Sequence, residues 1–433
     1  MKKLRHPLTA VALAAALSIP WMIFWGSGTV HSLGVGAVVA VSGLAVLGAS
    51  FLLAWGAETA EKDVPRGFAI AVLAVLAVAP EYAVDALYAY TAGADPGASK
   101  AASLAVANMT GANRILIGLG WAGIALFAIY KTARSRHQGA VEWNEGFLTD
   151  AVILDRSIAT EIAFLTVATM YAFLVPLTGG INIVDTVILV GLYVGYIIIT
   201  LRADVEDDAV HVGVPAYLQE FVKPLRAVTV ITLFAYSGFL IMTAVEPFAH
   251  GLESLGKDLG IPAFFMIQWI APLASESPEL IVTVYLVNKA RSTAAFNALI
   301  SSKLNQWTLL IGTLTVVYSI GLGHYGALPF DTKQAWEIWL TAGQSLFALS
   351  ILLNFRISIR EALTLLILFL SQVFIEFYLI QTMPEIETIF VLQAYTAVYV
   401  IAAFGISTQR IPDIQDILRR TIGRARGQDI AAD

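Results

Sequence analysis

The sequence contains no cysteine. That excludes disulfides, thiolate catalysis and Cys-ligated zinc or iron–sulfur clusters. Charge is also scarce: Asp, Glu, Lys and Arg make up 13% of the residues, against about 25% in an ordinary soluble domain. A Walker A loop is missing, which argues against ATP-driven pumping within this chain, and the six histidines form no H-E-x-x-H pair. His6, His31, His137, His211, His250 and His324 all read as loop or tail residues. Coiled-coil, collagen and low-complexity stretches are lacking too. A soluble enzyme, a disordered scaffold and a nucleic-acid binder are therefore poor fits. The net charge of −6 carries little weight, because in a membrane protein charge matters by location.

What the chain does have is apolar surface. Hydrophobic residues make up 58% of its 433 positions and are spread along the whole length. A bilayer-spanning helix needs about 20 mostly apolar residues. Twelve stretches meet that need, at about 8–27, 34–57, 67–92, 101–130, 158–177, 182–201, 227–247, 261–288, 294–322, 335–354, 361–381 and 387–406. They are continuous runs, not the alternating segments of a β-barrel. Met1 to Arg5 followed by an apolar run has the outline of a signal peptide. The run continues through Pro20-Trp21-Met22-Ile23-Phe24-Trp25 with no small-residue cleavage site, so it is read as the first span.

The basic residues orient these spans. With the N-terminus inside, Lys100, Lys257 and Lys333 fall in outer loops and Arg114 and Lys303 within spans; all other Lys and Arg of the 26 lie inside. This is the positive-inside bias, and it fits an even number of helices with both termini cytoplasmic. In the tail, Ile411, Ile414, Ile417 and Leu418 followed by arginines predict a short amphipathic helix against the inner leaflet, or a simple retention charge.

Two segments resemble each other. AVLAVAPEYAVDALYAYT is followed by SLAVANMTGANRILIGLG, and QWIAPLASESPELIVTVYLV by AAFNALISSKLNQWTLLIG. Each is an apolar helix interrupted by Pro-Glu, then a second helix rich in small and amide residues. The two Pro-Glu helices are the third and eighth spans and run in opposite directions. Inverted repeats are a transporter signature, with the substrate site at the repeat interface near the midplane.

Pro80-Glu81 and Pro278-Glu279 carry the chemistry. A mid-helix proline removes an N–H, so the carbonyls of Leu76 and Ala274 are candidates to be freed. A carboxylate beside a freed carbonyl suits a hard cation such as Ca²⁺ or Na⁺. Asp85 lies four residues after Glu81 and Glu276 three before Glu279, each on the same helix face. A buried acid costs about 2.5–3.5 kcal/mol at the bilayer centre, so four of them need a role. An interfacial, solvated position is the alternative, for Asp85 above all. Clustered acids raise one another's proton affinity, which opens a route to proton–cation exchange. Neutral candidates are Asn108, Thr110 and Asn113 on the first partner helix and Ser301, Ser302, Asn305 and Gln306 on the second, with Ser275 and Thr283 on the eighth span. Interhelical glue is the competing role for each of them. Arg114 and Lys303, on the same partner helices, either snorkel, pair with acids or occupy a cation site. Glu376 with Gln372, and Glu161 with Asp155, read as structural or interfacial.

These paired Pro-Glu segments resemble the two alpha repeats of the calcium/cation antiporter superfamily, over residues 72–118 and 270–312. The resemblance implies an all-α polytopic membrane protein with a ten-helix core in two inverted five-helix repeats and, here, one extra helix at each end. The expected parts are 1–33 (extra helix), 34–201 (first repeat), 202–226 (cytoplasmic linker), 227–381 (second repeat) and 382–433 (extra helix and basic tail). It also implies ion sites around Glu81 and Glu279 and alternating access. The family pattern Gly-Thr-Ser-x-Pro-Glu is here Leu76-Ala77-Val78-Ala79-Pro80-Glu81 and Ala274-Ser275-Glu276-Ser277-Pro278-Glu279. The first repeat thus lacks the hydroxyl ligands, and with them the full set of Na⁺ sites; Glu276 and Lys303 favour proton coupling.

The expectation is a secondary antiporter of the cytoplasmic membrane, not an enzyme, exchanging Na⁺ or Ca²⁺ against H⁺ or Na⁺. Its metal ligands are Glu81, Glu279, Asp85, Glu276, Asn108, Asn113, Ser275, Ser301, Ser302 and Asn305. Its partners are the lipid bilayer and inorganic cations, with no cofactor and no nucleic acid; the oligomeric state stays open, a monomer included. The alternatives are a non-transporting or differently coupled relative in which Lys303 or Arg114 fills the ion site, and a passive cation channel.

Overall fold

The computed structural model describes residues 6–63, 78–95, 97–98, 100–134, 141–202, 213–382 and 385–426. Among these, nine helices are long and apolar enough to cross a bilayer. The chain is an all-α polytopic membrane protein. The expected third, ninth and tenth spans are not among the nine. The described part of the third begins at Val78, and the Leu76 carbonyl lies outside the described residues. The other two are helical but more polar.

The chain divides into two compact units, and the division falls inside two helices, after Tyr88 and after Pro278. The first unit holds α1 (Pro7–Leu17), α2 (Ile19–Gly26), α3 (Val35–Ala60) and the start of α4 (Ala79–Ala94). The expected first span is present as one membrane-length stretch, Pro7–Gly26, with a turn between its two helical parts. Pro20 cannot donate to the carbonyl four residues back, and the chain turns at Ser18, whose hydroxyl donates to Ala15 O (2.7 Å) and shares a 2.6 Å hydrogen bond with Tyr236.

The unit's main contact is α3 against a 37-residue helix (Lys223–Leu259). Small residues on α3 let the backbones approach: a Cβ at Gly43 would meet the Phe248 ring at 2.8 Å. At about 1.5 Å per residue the long helix measures about 55 Å, well beyond the roughly 30 Å hydrocarbon layer. It therefore carries His250 and Lys257, both expected in loops, as helical residues. A short helix, α9 (Val214–Gln219), precedes it in the chain; the four helices between α4 and α9 belong to the second unit. Arg226 clamps this corner. It donates to both Asp63 carboxylate oxygens at 2.5 and 2.6 Å and to the Gln219 and Phe221 carbonyls. The guanidinium holds the Asp63 carboxyl below the usual carboxylate range. The long helix is α10, and α11 (Ala263–Asn288) follows it across the division.

The second unit contains α5 (Ala101–Ile115), a π-helical segment (Leu116–Trp121) and α6 (Ala122–Arg134), then α7 (Ala159–Ala172) and α8 (Ile183–Arg202). Further on come α12 (Ser292–Asn305), a second π-helical segment (Gln306–Leu310) and α13 (Ile311–Leu322). The unit ends with α14 (Thr332–Leu352), α15 (Ile359–Thr382), α16 (Glu385–Gln409) and α17 (Ile411–Ala425). Both π-segments fall in the amide-rich helices that follow the two Pro-Glu stretches, after Ile115 and after Asn305. Such local widening is common at functional sites. Helices α4 and α13 cross closely through glycines: a Cβ on Gly93 would stand 2.2 Å from the Tyr318 carbonyl, and one on Gly321 2.4 Å from that of Tyr90.

Short strands tie the loops: β1 (Val141–Glu142), β2 (Ala151–Ile153) and β5 (Arg356–Ser358) form an antiparallel sheet, and β3 (Gly180–Ile181) pairs with β4 (Leu328–Pro329). Helix α14 is the centre of the unit, packed against α5, α7 and α16. It begins at Thr332, so Lys333, expected in an outer loop, is a buried helical residue. The amphipathic tail is helix α17. Ile417 is buried against the unit, Asp416 pairs with Arg156 (2.8 Å) and Arg420 (2.9 Å), and Ile411, Leu418 and Ile422 stay exposed.

Candidate functional site

In the first unit, Glu81 and Asp85 stand one turn apart on α4 and both are buried, at 3% and 1% exposure. One turn further, Tyr88 donates a 2.8 Å hydrogen bond to Glu253 of α10, which also lies 3.4 Å from the His250 ring. On α11, Gln268, Ser275 and Glu276 are buried. The expected interruption of this helix is not a break. Helix α11 runs on through Pro272 and Pro278, so each proline removes one hydrogen bond from a continuous helix. The Ser277 hydroxyl donates to the Leu273 carbonyl in this stretch.

In the second unit, Glu279 is half-buried on α11, and Thr283 donates to the Leu280 carbonyl. Asn108, Thr110 and Asn113 are buried on α5. Ser302 and Asn305 are buried on α12, and Ser301 is half-buried. Several of these groups spend their donors on their own helix: Thr110 on Val106 O, Asn113 on Met109 O, Ser275 on Ala271 O. The Thr110 and Ser275 oxygens keep lone pairs that a cation can use, while the Asn113 oxygen accepts from Lys303. Ser302 accepts from Gln306 at 3.4 Å.

The unit brings two predicted residues together across helices. Lys303, fully buried, donates to the Asn113 side-chain oxygen (3.1 Å) and main-chain carbonyl (3.3 Å) and lies 4.8 Å from the Trp307 ring centre. Arg114 does something else. It forms an ion pair with Glu337 of α14 at 2.9 Å and donates to Gln372 Oε1 at 3.2 Å. Gln372 in turn donates to Glu376 Oε2 at 2.6 Å, so the expected structural pairing on α15 is present. Glu161 accepts from Tyr196 at 3.2 Å, and Asp155 caps the turn at Ser157.

Sequence reasoning missed Glu337 and Lys333. The signal was available: Lys333, Glu337, Thr341 and Ser345 recur every four residues and put one polar stripe on α14. Among the described residues, no three His, Asp or Glu side chains converge to hold a metal ion.

The comparisons with known proteins follow this geometry. The family model described as sodium/calcium exchanger protein matches residues 34–202 and 229–378. Among solved structures, the chain is similar to the H⁺/Ca²⁺ exchanger CAX, with 41% identity, 97% of this chain and 98% of that chain covered, and a TM-score of 0.85. It shares its fold with the Ca²⁺/H⁺ antiporter protein YfkE at 14% identity, covering 85% of this chain and 99% of that one, with a TM-score of 0.58. No match is found among curated proteins. The family match covers most of the chain and the relative at 41% identity nearly all of it; the chain belongs to the sodium/calcium exchanger protein family.

Proposed function

We propose that this protein is a secondary antiporter that moves Ca²⁺ out of the cytoplasm against entering H⁺. The observation that carries the reading is the similarity, at 41% identity over 97% of the chain, to a structure of an H⁺/Ca²⁺ exchanger. The chemistry of the candidate residues supports it. Glu81 and Glu279 are the central ligands, Asp85 and Glu276 are secondary ligands or proton carriers, and Asn108, Asn113, Ser275, Ser301, Ser302 and Asn305 supply neutral oxygen. Ca²⁺ takes six to eight oxygens and accepts carboxylates, amides and carbonyls alike. A carboxylate must lose its proton to bind the ion, so calcium and protons displace each other, and that competition is the coupling. Twelve spans, two inverted repeats, a place in the cytoplasmic membrane and both termini on the cytoplasmic side complete the proposal.

A second reading rests on one contact. The Lys303 ammonium sits 3.1 Å from the Asn113 oxygen, so an internal cation already engages a proposed ligand. In that reading Lys303 blocks or gates the ion site. Arg114 is a weaker internal cation, because Glu337 neutralises it.

Flux in proteoliposomes separates the two. With an imposed pH gradient, Ca²⁺ is expected to dissipate the gradient in the wild type, while Na⁺, K⁺ and Mg²⁺ added singly do so at least tenfold more slowly. Glu81→Gln and Glu279→Gln are expected to lower the calcium-driven rate by at least a hundredfold. A silent wild type that gains calcium flux in Lys303→Ala would establish the internal-cation reading instead.

A further inference from the structure

The second unit buries a group of charges that the proposed transport chemistry does not use. Glu337 and Lys333 come from α14, Glu376 and Gln372 from α15, and Arg114 from α5. Both glutamates have no exposed surface at all. The two acids are held differently. Glu337 has a direct ion pair with Arg114 at 2.9 Å. Glu376 receives one neutral N–H, from Gln372 at 2.6 Å, on Oε2. Its Oε1 accepts no hydrogen bond, and the nearest cation, Lys333 Nζ, is 3.9 Å away. Gln372 ties the two acids into one group: it accepts from Arg114, the partner of Glu337, and donates to Glu376. Two carboxylates that share a buried site cannot both stay ionised at low cost.

The group has a way in and a way on. Lys333 belongs to the first turn of α14, and its side chain keeps 11% of its surface exposed. From there polar atoms run through Glu376, Gln372, Glu337 and Arg114 to α5, where Gln344 of α14 donates to the Arg114 carbonyl at 3.5 Å. The next residue along α5 is Asn113, which Lys303 holds.

We infer that the Glu337–Glu376 carboxyl pair is a proton-binding site in its own right, apart from the ion-ligating carboxylates, and that it carries one of the protons exchanged for Ca²⁺. The inference rests on the exchanger reading proposed above. The step is a simple protonation: a proton entering past Lys333 adds to a carboxylate oxygen of Glu376, is shared with Glu337, and leaves from the same oxygen when the opposite side is open. The titratable and charged groups facing Glu376 are Glu337 and Lys333 on α14 and Arg114 on α5.

The test pairs two fluxes with a spectrum. Full-length wild type and Glu376→Gln are reconstituted. Calcium uptake driven by a pH gradient is compared with isotopic Ca²⁺/Ca²⁺ exchange at equal pH, which moves no net proton. The expected result is an at least tenfold loss of pH-driven uptake with isotopic exchange within twofold of wild type. Retention of both fluxes with the wild-type number of protons per calcium overturns the inference, and so does an equal loss of both in a folded variant. The infrared carbonyl-stretch band of a protonated buried carboxyl is recorded on the purified protein without calcium. The wild-type minus Glu376→Gln difference spectrum is expected to show a component of this band, beside that of the ion-site carboxyls common to both; the absence of any such difference overturns the inference. If wild type shows no pH-driven calcium flux, the exchanger reading fails and the proton site is judged by this band alone. If Glu376→Gln does not fold, Lys333→Gln decides. Loss of the neighbouring cation is expected to raise the pH at which the band half-disappears, and an unmoved midpoint overturns the inference.

Discussion

Arg114 and Glu337 make an ion pair of 2.9 Å with almost no exposed surface on either side chain. Water has been removed from both charges, so neither tolerates the loss of the other. Breaking one such buried pair costs about 3–5 kcal/mol, because it leaves a charge uncompensated. Arg114→Met and Glu337→Met are each expected to lower the thermal unfolding midpoint in detergent clearly. The double variant Arg114→Met/Glu337→Met is expected to lose much less than the sum of the singles. Singles that unfold like wild type would refute the pairing. This pair also marks the limit of the sequence at this scale. Arg114 stands out because it interrupts an apolar run, but its partner comes from a span far along the chain that hydropathy alone does not bring near it. The polar residues of the partner helices raise the same difficulty. Asn108, Asn113 and Ser302 are visible in the sequence, yet whether such a group serves an ion, a lysine or its own helix depends on what packs against it.

Helices were the most legible feature, since a bilayer span announces itself by length and hydrophobicity alone. The errors fall where that signal stops. Hydropathy ends near Ala244, where Glu246, His250, Glu253 and Lys257 begin, but α10 continues to Leu259, since its end leaves the hydrocarbon and needs no apolar surface there. The expected first span is present as one membrane-length stretch, Pro7–Gly26, with a local turn at Ser18 beside Pro20. Helix crossings depend on the opposite kind of residue, one without a side chain. Gly93 and Gly321 bring α4 and α13 together so closely that a Cβ on either would run into a carbonyl of the other helix at 2.2 or 2.4 Å. Backbone cannot step aside as a flexible side chain can. Gly93→Val and Gly321→Val are each expected to cost about 1–3 kcal/mol in stability through overpacking. Gly191→Ala on α8 and Gly405→Ala on α16, where a Cβ meets nothing within 4 Å, are expected to leave the thermal midpoint unchanged or slightly raised. Equal effects at the crowded and the open positions would show that α4 and α13 do not cross through these glycines.

For the whole molecule, the charge pattern makes a claim about the membrane that geometry alone does not make: the basic loops face the cytoplasm and the two repeats run in opposite directions. Between Ser32 and His324 the proposal counts eight spans, so an even number places both residues on the outer side. Glu145 and Arg426 lie on the inner side. All four side chains are exposed. The absence of cysteine makes the question direct, since single substitutions Ser32→Cys, His324→Cys, Glu145→Cys and Arg426→Cys carry no background thiol. A membrane-impermeant maleimide applied to intact cells is expected to label the first two within minutes and the last two only after permeabilisation. In the proposed function, inversion lets each Pro-Glu helix meet the membrane from the opposite face, so that the carboxylates can be exposed to either side in turn. Labelling of Ser32→Cys and His324→Cys from opposite sides would make the intervening count odd and overturn the eight-span count from which the opposite directions of the Glu81 and Glu279 helices are derived. Labelling of Glu145→Cys from outside would reverse the orientation while leaving the repeats intact, and calcium would then be carried in the opposite sense.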